Sequence, residues 1–468
     1  MHPMLACPEA ICGFDNHGEV FDGGTVILRR VHADYETHAR AIYSLFEKLD
    51  LKRFGIVPTS LSHSADYLLE HIKYPINYPH EWSSVMLRDA ALFHLRLFSD
   101  LEENGISLKD GLPNNIIYDG PNPKFVDFLS LVETDNLSQE AWLIDQSRGV
   151  KSPASIVLQN MFIPYFLIPL VAMDLNDAAL SRQMLRENAC NVSQDWPHIA
   201  AIAANRLPWR QKLKLKMTGL LIRGALSSSP QRARRILGLL LTRMRLDSET
   251  RSVDAPLTPN KGPDPRQDDG DWVETSIAAA LEQIAPATVL HLGSGPSRLP
   301  FIAEEKGARV ISISDDDAGL NWLYRAAKRE QRNITPLFIP FAELHSHTAV
   351  KGMRKQGEIF FKPPVSRLKS DVVLATDLLH WLIFSEGRQM DEVIDTLSQL
   401  CAHLIILEFV PISDPCMRDN PHLYPYLPHW NEEAYTVDLL VKAADRANMT
   451  CKIDQESPNG RYLVILTK

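Results

Sequence analysis

Two groups of residues in this chain of 468 have types and spacings that could do chemistry. In the C-terminal part, Gly293, Ser294 and Gly295 form a Gly-x-Gly turn, and the acidic run Asp315, Asp316, Asp317 follows it. Glycines let the backbone approach a ligand closely, and carboxylates in such positions take ribose hydroxyls. His291, Asp377, His380 and Glu408 each stand at or just past the end of an apolar run. Among them a histidine could remove a proton from an acceptor, with a carboxylate to orient it. In the N-terminal part, Asp110, Asn115 and Asp127 have the order and spacing of a kinase core, in which they would be the base and two magnesium ligands.

The elements that must position these groups can be read from the apolar pattern. A strand over 289–292, the glycine turn, a helix over 299–305 closed by Gly307 and a second strand over 310–313 make the first half of a nucleotide-binding βαβ unit. The turn reads Gly-x-Gly-x-Ser and lacks the sixth-position glycine of the dinucleotide fingerprint, which turns the expectation toward S-adenosylmethionine. A fourth strand over 372–375, a fifth ending at Glu408 and a terminal strand over 463–467 complete an alternating pattern. Open α/β sheets bind ligands at the carboxyl ends of their strands, where His291, Asp377, His380 and Glu408 fall. Residues 272–468 are therefore expected to form an α/β, doubly wound, Rossmann-like sheet. The cofactor contacts would be His291, Gly293, Ser294, Gly295 and Asp315 or Asp316; the catalytic groups would be His380, Glu408 and Asp377.

Upstream, residues 1–150 mix strand and helix, 151–250 read as mainly helical, and 251–271, rich in Pro, Gly and Asp, reads as a linker. A hairpin is expected through Asp22-Gly23-Gly24, but its second strand offers Arg29 and Arg30 where a kinase carries a phosphate-binding lysine. The N-terminal α+β region thus reads as a kinase-like remnant that serves as scaffold or acceptor-binding domain.

Several blocks resemble one family in order: Tyr78-Pro-His-Glu-Trp-Ser83, Leu108-Lys-Asp-Gly-Leu-Pro-Asn-Asn115, Phe125-Val-Asp-Phe-Leu-Ser130, Asn333-Ile-Thr-Pro-Leu337, Leu379-His380 and Leu407-Glu-Phe-Val-Pro411. They are similar to class I S-adenosylmethionine-dependent methyltransferases, and among these to the bacterial nodulation-protein NoeA type. The resemblance covers most of the chain and implies methyl transfer to a small-molecule or glycan- or lipid-linked acceptor. It also shows departures. The family usually has an acidic residue at His291, glycine at Ser297, Asp at Ser314 and a second histidine at Trp381. The other readings are a non-catalytic binding protein with a degenerate methyltransferase fold, or an active kinase fused to that fold.

Composition fits a globular protein, 45% hydrophobic and 23% charged, and its net charge of −9 gives no argument for nucleic acid. The six cysteines include no Cys-x-x-Cys pair, so neither zinc nor a disulfide framework is expected, and no signal peptide is read. The expectation is a cytoplasmic protein. The apolar stretch 154–173 contains Pro164 and Pro169 and is expected to be a broken, buried helix pair with no transmembrane span. Residues 206–245 carry many Lys and Arg and no Asp or Glu, with leucines interleaved, a pattern that could meet an anionic partner or be a solvated basic face.

Overall fold

The computed structural model describes residues 17–63, 67–139, 157–175, 177–187, 208–246, 270–293, 297–346, 348–350, 359–430, 433–457 and 460–468. Ser294 and Gly295 lie outside these residues, as does the expected linker up to the start of the helix Gly270–Ile284.

The N-terminal part opens with β1 (Gly18–Asp22) and β2 (Val26–Val31), joined by the expected turn. Asp22 accepts the Gly24 N–H at 2.9 Å, and Gly24 takes φ 86°, which costs glycine little. With β3 (Thr59–Leu61) and β4 (Leu69–Ile72) these strands form an antiparallel sheet in the order β1-β2-β4-β3. The helix Glu36–Leu49 buries Ala39, Ile42 and Phe46, one helical face. The helix Ser84–Glu103 is capped by Ser83, which accepts from the Met86 N–H. Two small antiparallel pairs follow: β5 (Ile106–Leu108) with β8 (Leu131–Glu133), and β6 (Ile116–Asp119) with β7 (Asn122–Phe125).

The apolar stretch expected to break at its prolines is a buried helical winding instead. Leu158–Leu167 is π-helical with Pro164 inside it, and it passes directly into the α-helix Ile168–Asp174. Proline donates no backbone hydrogen bond, and a local change of winding accommodates that loss. Helices Ala178–Glu187, Trp209–Leu226 and Pro230–Thr242 follow. Among the described residues no helix is long and apolar enough to cross a membrane.

The C-terminal part is built on β9 (Thr288–Leu292), β10 (Arg309–Ser314), β11 (Ile334–Phe338), β14 (Ser370–Ala375), β15 (Cys401–Phe409), β16 (Thr450–Glu456) and β17 (Tyr462–Thr467). The strands β12 (Thr348–Val350) and β13 (Ile359–Phe361) pair separately. The large sheet runs β11-β10-β9-β14-β15-β17-β16, parallel from β11 to β15 with β17 antiparallel to its neighbours. The chain moves outward from β9 through β10 to β11, then returns to the other side of β9 with β14. Alternate residues of each strand enter opposite cores, as a sheet covered on both faces requires. Val289, Val310, Val372 and Ile406 pack under Ile277, Leu281 and Ile302. Leu290, Ile313, Val373 and Ile405 join the other core, which is continuous with the N-terminal part through Trp82, Met86 and Tyr118.

Polar contacts reinforce that junction. Asp317 accepts from Ser84 Oγ at 2.6 Å and from Arg182 at 2.7 Å, and Asn321 Oδ1 accepts the Val85 N–H at 3.0 Å. Arg367 pairs with the buried Glu81, and Trp82 bridges to Leu337. The N-terminal part thus braces the region around the first three strands of the large sheet.

Candidate functional site

The order of the large sheet reverses beside β9, and a cleft opens there over the carboxyl ends of β9, β10, β11 and β14. It is partly open to solvent and is lined by Leu292, Gly293, Asp315, Ile339, Phe341, Leu378, Trp381 and Glu386 among others. The lining is an apolar slot with few polar groups, the usual character of a small-molecule site. Asp315 stands just beyond β10, and its carboxylate makes no hydrogen bond or ion pair with any described residue. Asp316, its neighbour, is occupied differently. Its side chain accepts the Ala318 N–H at 3.1 Å and caps the helix Asp317–Glu330.

Gly293 lines the cleft, and the space a side chain would need is filled by His291: a Cβ there would lie 2.7 Å from the ring. His291 is not among the residues that line this cleft. Its Nδ1 is 2.9 Å from Ser312 Oγ, Nε2 has no hydrogen-bond partner among the described residues, and the residue borders a small cavity beside Ser297 and Ser314. Burial pushes its pKa down to about 4, so the ring is neutral at pH 7.

The other three candidates gather at the ends of β14 and β15. Asp377 takes φ 53° and donates its N–H to Glu408 Oε2 at 3.1 Å. Glu408 Oε1 accepts from Arg461 Nη1 at 3.1 Å. Arg461, from the turn between β16 and β17, also forms a two-pronged pair with Asp414 at 2.6 and 2.9 Å and lies 4.0 Å from Asp377. Burial works against the charge on both partners, but their mutual bonds prevail: the Asp414 carboxyl is held low and the Arg461 guanidinium high. His380 follows in the first turn of the helix Leu379–Phe384, buried, its ring centroid 5.9 Å from that of Tyr424. Trp381, beside it, lines the cleft. The structure therefore brings Asp377, Glu408 and His380 into one neighbourhood, with Glu408 bound to Arg461 and to the loop leading into His380. Arg461 was not found from the sequence; it sits in a hairpin remote from both carboxylates and carries no local motif.

In the N-terminal part Asp110, Asn115 and Asp127 also come together. Asn115 Nδ2 donates to the Asp110 carbonyl at 3.0 Å, Asp110 Oδ1 accepts the Leu112 N–H at 3.3 Å, and Ser130 ties both ends of the Asp110 backbone. Asp127 pairs with Arg29 of β2 at 3.4 Å. Burial first, then the Asp127 charge, pushes the Asp110 carboxyl up to about 6.

No family profile matches the chain. Among solved structures, the bifunctional kinase-methyltransferase WbdD is 15% identical, covers 43% of this chain and 39% of its own length, and has a TM-score of 0.30. The magnesium protoporphyrin IX methyltransferase ChlM of Synechocystis PCC 6803, with bound SAH, is 16% identical over 43% of this chain and 84% of its own, with a TM-score of 0.29. The chain spans about two fifths of WbdD, and at these TM-scores neither overlap decides fold or activity. Among curated proteins, "Nodulation protein NoeA" of Rhizobium meliloti (strain 1021) is 26% identical over 464 residues, 92% of this chain and 90% of NoeA. The similarity read from scattered sequence blocks therefore extends along nearly the whole molecule: this chain is similar to NoeA over 92% of its length.

Proposed function

We propose that residues 272–468 form a Rossmann-like S-adenosyl-L-methionine-dependent methyltransferase, with 1–150 as a kinase-like, non-catalytic domain and 151–250 as a helical segment between them. The observation that carries this reading is the cleft at the reversal of strand order, with the uncommitted Asp315 carboxylate at the end of its second strand. The residues present suit the cofactor. Leu292, Ile339, Phe341 and Leu378 offer an apolar slot for a flat base, and Asp315 can accept from ribose hydroxyls. Asp316 is assigned to the helix cap and His291 to holding Gly293 and β10; Ser294 and Gly295, read from the sequence as cofactor contacts, lie outside the described residues.

When bound, the sulfonium supplies an electrophilic methyl group. The protein's task is then to align acceptor and methyl carbon and to remove the acceptor's proton. His380 is assigned that proton. Glu408 and Asp377 are positioning residues: Glu408 receives the Asp377 N–H and so fixes the loop from which the His380 helix starts. The acceptor class is a small molecule or a glycan- or lipid-linked hydroxyl. Thermal unfolding of the full chain with S-adenosylhomocysteine tests the reading. A saturable rise in the midpoint is expected, and no shift at millimolar ligand would refute it.

A further inference from the structure

The helix Trp209–Leu226 has two apolar faces, and only one of them is buried. Leu215, Thr218, Ile222 and Ala225 face the protein at helical spacing. On the outer side Trp209 is 69% exposed, Leu213 54%, Met217 51%, Leu220 56% and Leu221 44%, again at turn spacing. At about 100° per residue, Lys212, Lys216 and Arg223 border this outer stripe on one side, Lys214 borders it on the other, and Arg210 lies within it between Met217 and Leu221. Among the described residues only Lys214 of these five has an ion-pair partner, Asp174. No acidic residue occurs from 206 to 245, although the whole chain carries −9.

An apolar stripe of this size in water marks an interaction surface, and its charged border selects the partner. A second copy of the chain docked across a two-fold axis would set cations against cations. A polar acidic surface would pair the cations but leave five large apolar side chains unburied. An anionic bilayer satisfies both at once: acyl chains take the stripe, while long Lys and Arg stems lay their charges against lipid phosphates. We propose that this helix lies in the headgroup layer of an anionic membrane, its axis along the surface, with Trp209, Leu213, Met217 and Leu220 inserted.

The proposal stands whether or not the cleft binds a cofactor. Its test is flotation of the full chain with phosphatidylcholine vesicles, with and without phosphatidylglycerol. The protein should float with the anionic vesicles and not with the neutral ones. The double variant Leu213→Glu/Leu220→Glu should bind roughly 100-fold more weakly, and Lys212→Glu/Lys216→Glu at least about tenfold. All four side chains lie outside the core, so thermal midpoints should stay near wild type. Brominated lipid should quench fluorescence that is missing in Trp209→Phe. Absence of wild-type flotation, undiminished binding of Leu213→Glu/Leu220→Glu, or a lipid-free dimer that this variant dissolves would each overturn the proposal.

Discussion

The two regions that carry chemically suggestive carboxylates have spent them differently. In the N-terminal part the kinase-like residues are consumed by the fold: Asn115 holds the Asp110 carbonyl, the Asp110 side chain takes the Leu112 N–H, and Asp127 pairs with Arg29. In the C-terminal part Asp315 lines a cleft and has no hydrogen-bond or ion-pair partner among the described residues. At the ends of β14 and β15, Glu408, Arg461 and Asp414 are paired with one another. Motif spacing alone would rank the two regions alike. What separates them is whether the polar groups still have capacity for a ligand once the protein has folded.

The closed network gives the largest expected effect. Arg461→Met strands Glu408 and Asp414 as buried carboxylates and should cost about 3–5 kcal/mol in urea unfolding. A loss under about 1 kcal/mol would mean the network is not the brace described. Next, His380→Ala should leave S-adenosylhomocysteine affinity unchanged while transfer of labelled methyl groups to acceptors in a cell extract falls by roughly 100-fold. Equal turnover by the two proteins would remove the base assignment and point to alignment alone. In the N-terminal part the wild type should show no magnesium-dependent ATP turnover. Asp127→Ala, which leaves the buried Arg29 without that partner, should lower stability by about 1–3 kcal/mol. ATP turnover that disappears in Asp127→Ala would erase the contrast between the regions.

The smallest effect concerns pH. Burial holds His71 down to about 3 and His94 and His291 to about 4, against 6.5 unfolded. Between those values the unfolded chain binds more protons, so stability is full above pH 6.5 and falls as pH drops toward 4. Asp110, raised to about 6 from 3.8, acts in the opposite sense over pH 4–6. His80 is likewise held low by burial and the Glu81 carboxyl is raised by it, so four histidines stand against two carboxyls and urea midpoints should decline from pH 7 to pH 5. His94 is enclosed by Phe98, Phe162 and Phe166, and among the described residues neither ring nitrogen has a hydrogen-bond partner. His94→Phe should therefore make the decline shallower. An identical slope in the variant would show that His94 does not contribute.

Much of the C-terminal architecture was legible because its signals are local. Apolar runs mark the strands, and Gly307, at φ 92°, ends the helix Leu299–Glu305 as expected. The approximate ends of β9, β10, β14, β15 and β17 follow from the same pattern. Features set by distant contacts were not legible. Nothing near Arg461 announces that it will meet Glu408 and Asp414, and nothing near Ser84 announces Asp317. The division of labour between Asp315 and Asp316 lies between these cases. An Asp just before a helix is a readable cap, but only the fold shows that the next carboxylate back faces a cleft. The π-helical passage through Pro164 was illegible for a related reason, since surrounding packing decides whether proline breaks a buried helix or rewinds it.

The central claim is that Asp315 has been left open for a ligand while its neighbours have been used by the fold. Calorimetric titration of the full chain with S-adenosylhomocysteine, repeated on Asp315→Ala and Asp316→Ala, tests it most directly. One site per chain is expected, with at least about tenfold weaker binding in Asp315→Ala, as for loss of a charged hydrogen-bond acceptor, and near wild-type affinity in folded Asp316→Ala. No heat of binding in the wild type, or equal affinity in wild type and Asp315→Ala, would contradict it.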